Sequence, residues 1–232
     1  MSRLPANKLD HVALWTAERD AIADLVCGHM GMHVIDRTDK FTLVGADARL
    51  GKLTLFEADP PREPGLLARV VLAVTDFEAA LAALPDGLDV QQPEPGLAVF
   101  EGPDGLGLGI RQVESPEVEY DIESVVLRVP DPATTYDELA PLGFDRNGSE
   151  GLILEGKRLL LEQGDPGDEE RPLLNHIALL VDSAEGTREE AERRGVEIDK
   201  WVDAANTWAV FLWGPERIKL EYVEHKPGFA LV

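Results

Sequence analysis

Two histidines lie inside apolar runs that read as buried strands, His11 in LDHVALW (9–15) and His176 in LNHIALL (174–180). An imidazole titrates near neutrality and is the commonest metal ligand among side chains. A strand that carries one where a valine would serve therefore needs a reason. A carboxylate raises the same question near the C-terminus. Along IKLEYV (218–223), Ile218, Leu220 and Tyr222 alternate with Lys219, Glu221 and Val223, so the two-residue period of a strand turns Glu221 away from the packing face. In so apolar a strand the carboxylate is buried, and a buried carboxylate requires a cation or hydrogen-bond donors. Lys219 would satisfy it through a salt bridge. Taken singly, either histidine reads most simply as a core imidazole satisfied by hydrogen bonds.

The elements that must position these side chains come from an internal repeat. Four segments begin alike, LDHVALWTAERD, ARVVLAVTDFEA, IESVVLRVPDPA and LNHIALLVDSAE, each a strand-like run ending in a helix-starting polar cluster at Thr16, Asp76, Asp131 or Asp182. Helical patterns follow and close on Gly31, Gly87, Gly143 and Gly195, which read as helix C-caps. Each unit then ends in paired strands joined by Gly- and Pro-containing turns. The unit is βαβββ, used four times. The expected class is α+β, with units at about 8–60 and 68–115 in a first half (1–115), and at about 120–165 and 172–225 in a second half (116–232).

The totals restrict the partners. The chain has 232 residues, 44% hydrophobic, enough to bury a substantial core. Its 44 acidic residues against 22 basic ones give a formal charge of −22, which repels phosphate backbones and anionic headgroups. Neither nucleic acid nor a membrane is expected as partner. The single cysteine, Cys27, cannot form an internal disulfide, and with no apolar signal core in MSRLPANKLD the reading is a cytoplasmic protein.

The succession of four βαβββ units resembles the vicinal oxygen chelate superfamily, which includes glyoxalase I, type I extradiol dioxygenases and bleomycin-resistance proteins; the resemblance runs from Leu9 to about Glu224. It implies that units pair so that their sheets curl into cups with helices outside, around a divalent ion held by residues of first and last strands. The segment GPERIKLEYVE aligns without gaps with the family's last-strand motif and puts Glu221 at the ligand position. The same register gives His11, Val70, Ser124 and His176 in the first strands, and Thr54, Gly109, Leu159 and Glu221 in the last. Good ligands fall only in units one and four. The resemblance therefore implies that these two units share the metal cup, collecting His11, His176 and Glu221 as a facial triad for Fe(II) or Mn(II), with Zn(II), Ni(II) or Co(II) also accommodated. The other cup would be structural.

Such a triad implies a small-molecule substrate with two vicinal oxygens, and an extradiol-type dioxygenase acting on a catechol-like compound. The family's extradiol signature, however, has a second-sphere histidine and a tyrosine before the last turn, whereas DAANTWAVFLWGPERIKLE lacks the histidine and has Phe211 in place of the tyrosine. An isomerase or lyase acting on a small oxo or hydroxy substrate is therefore a second reading, and a bleomycin-resistance-like binding protein a third. Thr54 at the fourth position departs from the four-ligand pattern of glyoxalase I. Glu57 and Glu162 read as solvated strand ends, His29 and His33 as surface residues, and His225 as non-catalytic and near a cup mouth. Trp201, Trp208 and Trp213 could line a pocket for a planar substrate. No catalytic acid or base is assigned, and a homodimer is left open.

Overall fold

The computed structural model describes residues 3–148, 151–167 and 171–229. Unit one is β1 (Lys8–Thr16), α1 (Arg19–His29), β2 (His33–Arg37), β3 (Phe41–Gly45) and β4 (Lys52–Glu57). Unit two is β5 (Leu67–Val74), α2 (Phe77–Ala83), β6 (Gln91–Glu94), β7 (Leu97–Glu101) and β8 (Gly107–Gln112). Unit three is β9 (Ile122–Val129), α3 (Pro132–Leu139), β10 (Asp145–Arg146), β11 (Leu152–Leu154) and β12 (Lys157–Gln163). Unit four is β13 (Leu174–Leu180), α4 (Ala184–Arg194), β14 (Ile198–Asp203), β15 (Thr207–Trp213) and β16 (Lys219–His225).

These strands form two open, eight-stranded mixed sheets, so the fold is α+β. Units one and four share the sheet β14-β15-β16-β13-β1-β4-β3-β2, and units two and three share β10-β11-β12-β9-β5-β8-β7-β6. Each sheet has an antiparallel pair of first strands at its centre, β1 with β13 and β5 with β9. Each of these is flanked by its own unit's last strand running parallel to it. Alternation decides which face each side chain takes. Val12, Leu14, Ile177, Leu179, Leu220 and Tyr222 are fully buried in one core that also takes Ile22 and Val26 of α1. Burying a large apolar side chain of this kind contributes about 1.5–3 kcal/mol. The opposite faces carry small separate clusters, Ala178, Ala209, Phe211 and Val223 in one sheet and Val71, Leu97 and Val126 in the other.

Each central pair contains two bulges, placed alike in both sheets. The pairing skips from Leu9 to His11 and, opposite, from His176 to Leu174, leaving Asp10 and Asn175 as inserted residues. The corresponding skips in the other sheet leave Ala68 and Glu123. A bulge breaks strict alternation and re-aims a side chain, so Asp10 reaches the same face as His11.

This register corrects two assignments made from the sequence. His11 pairs with Ala178 and Ala13 with His176, while Arg69 pairs with Val126 and Val71 with Ser124. The residue equivalent to His11 in unit two is therefore Arg69, and Val70 points into the core. In unit three Leu160 pairs with Val126 as Glu221 pairs with Ala178, so the last-strand equivalent is Leu160 and not Leu159. Glu162 then shares the concave face, where it pairs with Arg69 and Arg128, and is not a solvated end. Helix starts differ too. Asp76 and Asp131 accept bonds from backbone amides of their helices, but Ser183 rather than Asp182 caps α4, and the N-cap of α1 is Glu18. Thr16 instead donates to Asp104 across the two sheets' units. Among the four glycines, Gly195 is itself a left-handed C-cap, whereas Gly31, Gly87 and Gly143 take positive φ beyond their helix ends.

Candidate functional site

The first sheet brings His11, His176 and Glu221 together on its concave face. His11 Nε2 lies 3.2 Å from His176 Nε2 and 3.3 Å from Glu221 Oε2, and His176 Nε2 lies 2.9 Å from the same oxygen. The three groups offer ligand atoms within 4.8 Å of one another, with His176 and Glu221 buried. Lys219 does not satisfy Glu221, as the sequence alternative had it, but pairs with Asp199 at 3.0 Å. Glu221 Oε2 is buried without a hydrogen-bond partner despite the two imidazoles beside it. A buried, orphaned carboxylate oxygen facing two imidazole nitrogens is a donor set that suits a divalent cation.

The inserted bulge residues hold the imidazoles from behind. His11 Nδ1 lies 2.9 Å from Asp10 Oδ2, and His176 Nδ1 lies 3.1 Å from Asn175 Oδ1. With each Nδ1–H donating to its oxygen, Nε2 is left free to face the centre, the arrangement that orients metal-binding histidines. Asp10 is 2% exposed and its partner is Lys52, equally buried, with Nζ 2.8 and 3.0 Å from the two carboxylate oxygens. His225, on the same strand face as Glu221, comes within 3.4 Å of Asp10 Oδ1 and stacks on Phe229. His176 meets the ring of Phe211 edge-on at 5.1 Å, and Lys200 Nζ sits 4.5 Å above that ring. Thr54, opposite Ala13 on β4, occupies the fourth position and is buried.

The electrostatics of the two histidines differ. Burial depresses the pKa of His11, but the hydrogen bond to Asp10 and the close charges of the Glu221 and Asp10 carboxylates outweigh it and raise it from 6.5 to about 9. Burial dominates for His176 and lowers its pKa despite Glu221. Burial would raise Glu221, yet the charge and close approach of the His176 imidazole, and then of His11, bring it down to about 2. Asp10 is held well below the carboxylate range, its burial outweighed by bonds to His11 and His225 and by Lys52. Lys52 balances one of the two carboxylates, Asp10 and Glu221, and the proton on His11 balances the other.

Comparison with known proteins agrees with this architecture. The description of the Glyoxalase/Bleomycin resistance protein/Dioxygenase superfamily matches residues 8–207. The chain belongs to that superfamily. No curated protein matches the chain by sequence. Among solved structures, a putative dioxygenase from Bacillus subtilis has 17% identity and a TM-score of 0.78, covering 97% of this chain and 87% of its own. Glyoxalase I from Zea mays has 16% identity and a TM-score of 0.70, covering 94% and 92%. The cppA protein from Streptococcus pneumoniae has 16% identity and a TM-score of 0.61, covering 94% and 99%. These likenesses are of fold. Within the superfamily match lie both histidines, while Glu221 on β16 falls beyond it.

Sequence reasoning missed Asp10 and Lys52. The signal was present in the acidic residue preceding His11 inside an apolar run, but strict alternation assigned it to the far face. Of the tryptophans singled out, Trp213 lines a cavity beside the site, Trp201 is exposed, and Trp15, not singled out, lines the cavity as well. His33 is exposed and His29 partly so, bonded to Ala83 O. Among the described residues no helix is long and apolar enough to cross a membrane.

Proposed function

We propose that this chain is a metal-dependent enzyme of the superfamily, that units one and four share its metal cup, and that His11, His176 and Glu221 hold the ion. The reaction we assign to it is extradiol-type cleavage of a catechol-like substrate. The observation that carries the reading is the orphaned Glu221 oxygen within reach of two imidazole nitrogens, each of which is hydrogen-bonded through its other nitrogen. A divalent ion there, Fe(II) or Mn(II) by donor type, supplies a Lewis acid with open positions for two vicinal substrate oxygens and, where it is Fe(II), for dioxygen as co-substrate. Thr54 at the fourth position adds no charged ligand and leaves that side of the cup to substrate.

The chain's own residues do the rest. Asp10 holds the Nδ1 proton of His11 and fixes which nitrogen faces the centre, while Lys52 holds Asp10 ionised and in place. Phe211 and Val223 wall the cup with apolar surface and exclude water beside His176. Lys200, above the Phe211 ring, faces the cup as a cation that favours the deprotonated form of a catechol oxygen. A second reading, isomerase or lyase chemistry on an oxo or hydroxy substrate, is favoured by Phe211 itself, which places no hydroxyl next to His176.

Metal content and product analysis test the proposal. Anaerobically purified protein is expected to hold about one divalent ion per chain, and His11→Ala, His176→Ala and Glu221→Ala should each lower metal affinity by more than about 100-fold. Stoichiometric metal in all three variants would sink the assignment. A coloured ring-fission product from a catechol panel with the Fe(II)-loaded protein supports cleavage. Turnover of oxo or hydroxy substrates without oxygen uptake replaces it with the second reading, and a metal-free, inactive protein points to a binding function.

A further inference from the structure

The whole chain carries twice as many acidic as basic residues, but one concave region reverses that balance. A cavity of about 630 Å³ opens where the linkers between units one and two and between units three and four touch, at Glu63 and Pro172. Its wall carries three cations, Arg62, Arg217 and Lys219, against two acids, Asp165 and Glu216, and two tryptophans, Trp15 and Trp213.

Strand register ties this cavity to the triad. Asn175, in its wall, is the residue bonded to His176. Lys219 pairs with Trp213 as Glu221 pairs with Phe211, two residues along the same faces. Trp15 lies two residues beyond Ala13 and four beyond His11 on β1, which places all three on one face. A substrate whose reacting oxygens lie between His11, His176 and Glu221 would extend its remaining part into this space.

Of the three cations, Arg62 is left without a carboxylate among the described residues, while Arg217 and Lys219 are each paired with one, Glu197 and Asp199. Arg62 is anchored by one bond, Nη2 to Pro172 O at 2.8 Å, its Nε is buried with no partner, and among the described residues no carboxylate pairs with it. Arg217 and Lys219 lie over the Trp213 ring, at 3.9 and 4.2 Å from its centroid. Their carboxylate partners, Glu197 and Asp199, stand outside the cavity wall. Guanidinium and ammonium groups fixed on an aromatic face form a receptor for an anion carried on a planar body. A net charge of −22 would otherwise repel such a ligand.

We infer that the substrate is an aromatic compound bearing a carboxylate remote from its reacting oxygens, seated between Trp15 and Trp213 and recognised by Arg62, Arg217 and Lys219. This rests on the triad being the reacting centre, as proposed above. The test uses 3-(3,4-dihydroxyphenyl)propanoate and its methyl ester, titrated calorimetrically and by tryptophan fluorescence into Mn(II)-loaded and metal-free protein.

The acid should bind about tenfold more tightly than the ester in both forms, as charge-assisted hydrogen bonds require, and the advantage should shrink as salt rises. Arg62→Met and Lys219→Met should each reduce the preference to about threefold or less with metal content unchanged. His11→Ala should lose the ion and keep the preference, so failure of the metal assignment and failure of the anion subsite give different results. Equal affinity for acid and ester, no saturable binding of either, or a preference that survives in both methionine variants would overturn the inference.

Discussion

The two sheets have one topology and, in their central strand pairs, one pattern of bulges, but opposite contents at their centres. In the first, the four register-equivalent positions hold His11, Thr54, His176 and Glu221; in the second they hold Arg69, Gly109, Ser124 and Leu160. The bulge residues follow suit. Asp10 and Asn175 each hold an imidazole from behind, whereas Ala68 offers no side-chain acceptor and Glu123 pairs with Arg158, Nε to Oε1 at 2.6 Å. The residue paired with His11 is Lys52, and its equivalent on β8, one residue before the Val70–Leu108 pair, is Gly107. There a Cβ would meet Ala68 O at 2.0 Å. A scaffold can thus keep its hydrogen bonding and core while the concave side chains decide between a proposed ligand set and ion pairs.

That contrast can be broken by moving the site. Installing Arg69→His, Ser124→His and Leu160→Glu together should raise the divalent metal content from about one to about two ions per chain, because the backbone register already matches. Unchanged stoichiometry in a folded variant, measured by metal analysis alongside circular dichroism, would show that register alone does not make the site. Next in size is the support behind His11. The pair Asp10→Asn with Lys52→Met reproduces the neutral backing of His176 without burying an unpaired charge, and should weaken metal binding by about 10- to 100-fold in a competitive chelator titration. Affinity equal to that of the unaltered protein would make the Asp10 charge irrelevant to the site.

Gly107→Ala addresses the narrowness of the second cup. The main-chain clash should lower the melting temperature by about 5–10 °C without altering metal content, and an unchanged melting temperature would mean that β5 and β8 can separate at no cost. The smallest effect concerns pH. His11, raised from 6.5 to about 9, stabilises the metal-free fold fully below 6.5, and that contribution is lost as pH climbs through 9. Glu221, lowered from 4.5 to about 2, contributes above 4.5 and loses its contribution as pH falls towards 2. His176, lowered from 6.5, costs stability as pH falls below 6.5, so the metal-free protein should melt highest near pH 6.5, and bound metal should flatten the alkaline decline because the ion replaces the His11 proton. A melting profile equally flat with and without metal would separate these two residues from the shared charge argued for them.

What the sequence by itself determined follows from the types of residue and their period. Four βαβββ units, the packing role of Ile218, Leu220 and Tyr222, and the placement of His11, His176 and Glu221 opposite the core all follow from two-residue alternation, because a strand has only two faces. Only the tertiary structure decided the rest. Four bulges in the two central strand pairs break that alternation, and a bulge leaves no mark in composition, so Asp10 and Lys52 could not be read as the support of His11, and Val70 and Leu159 took the places that belong to Arg69 and Leu160. That units one and four share a sheet is legible in the sequence only indirectly, from where the ligand-type residues fall; what forms it is long-range pairing between β1 and β13, strands separated by most of the chain. Local preference does not reach that far, and the choice falls to the burial and hydrogen bonding of the assembled core.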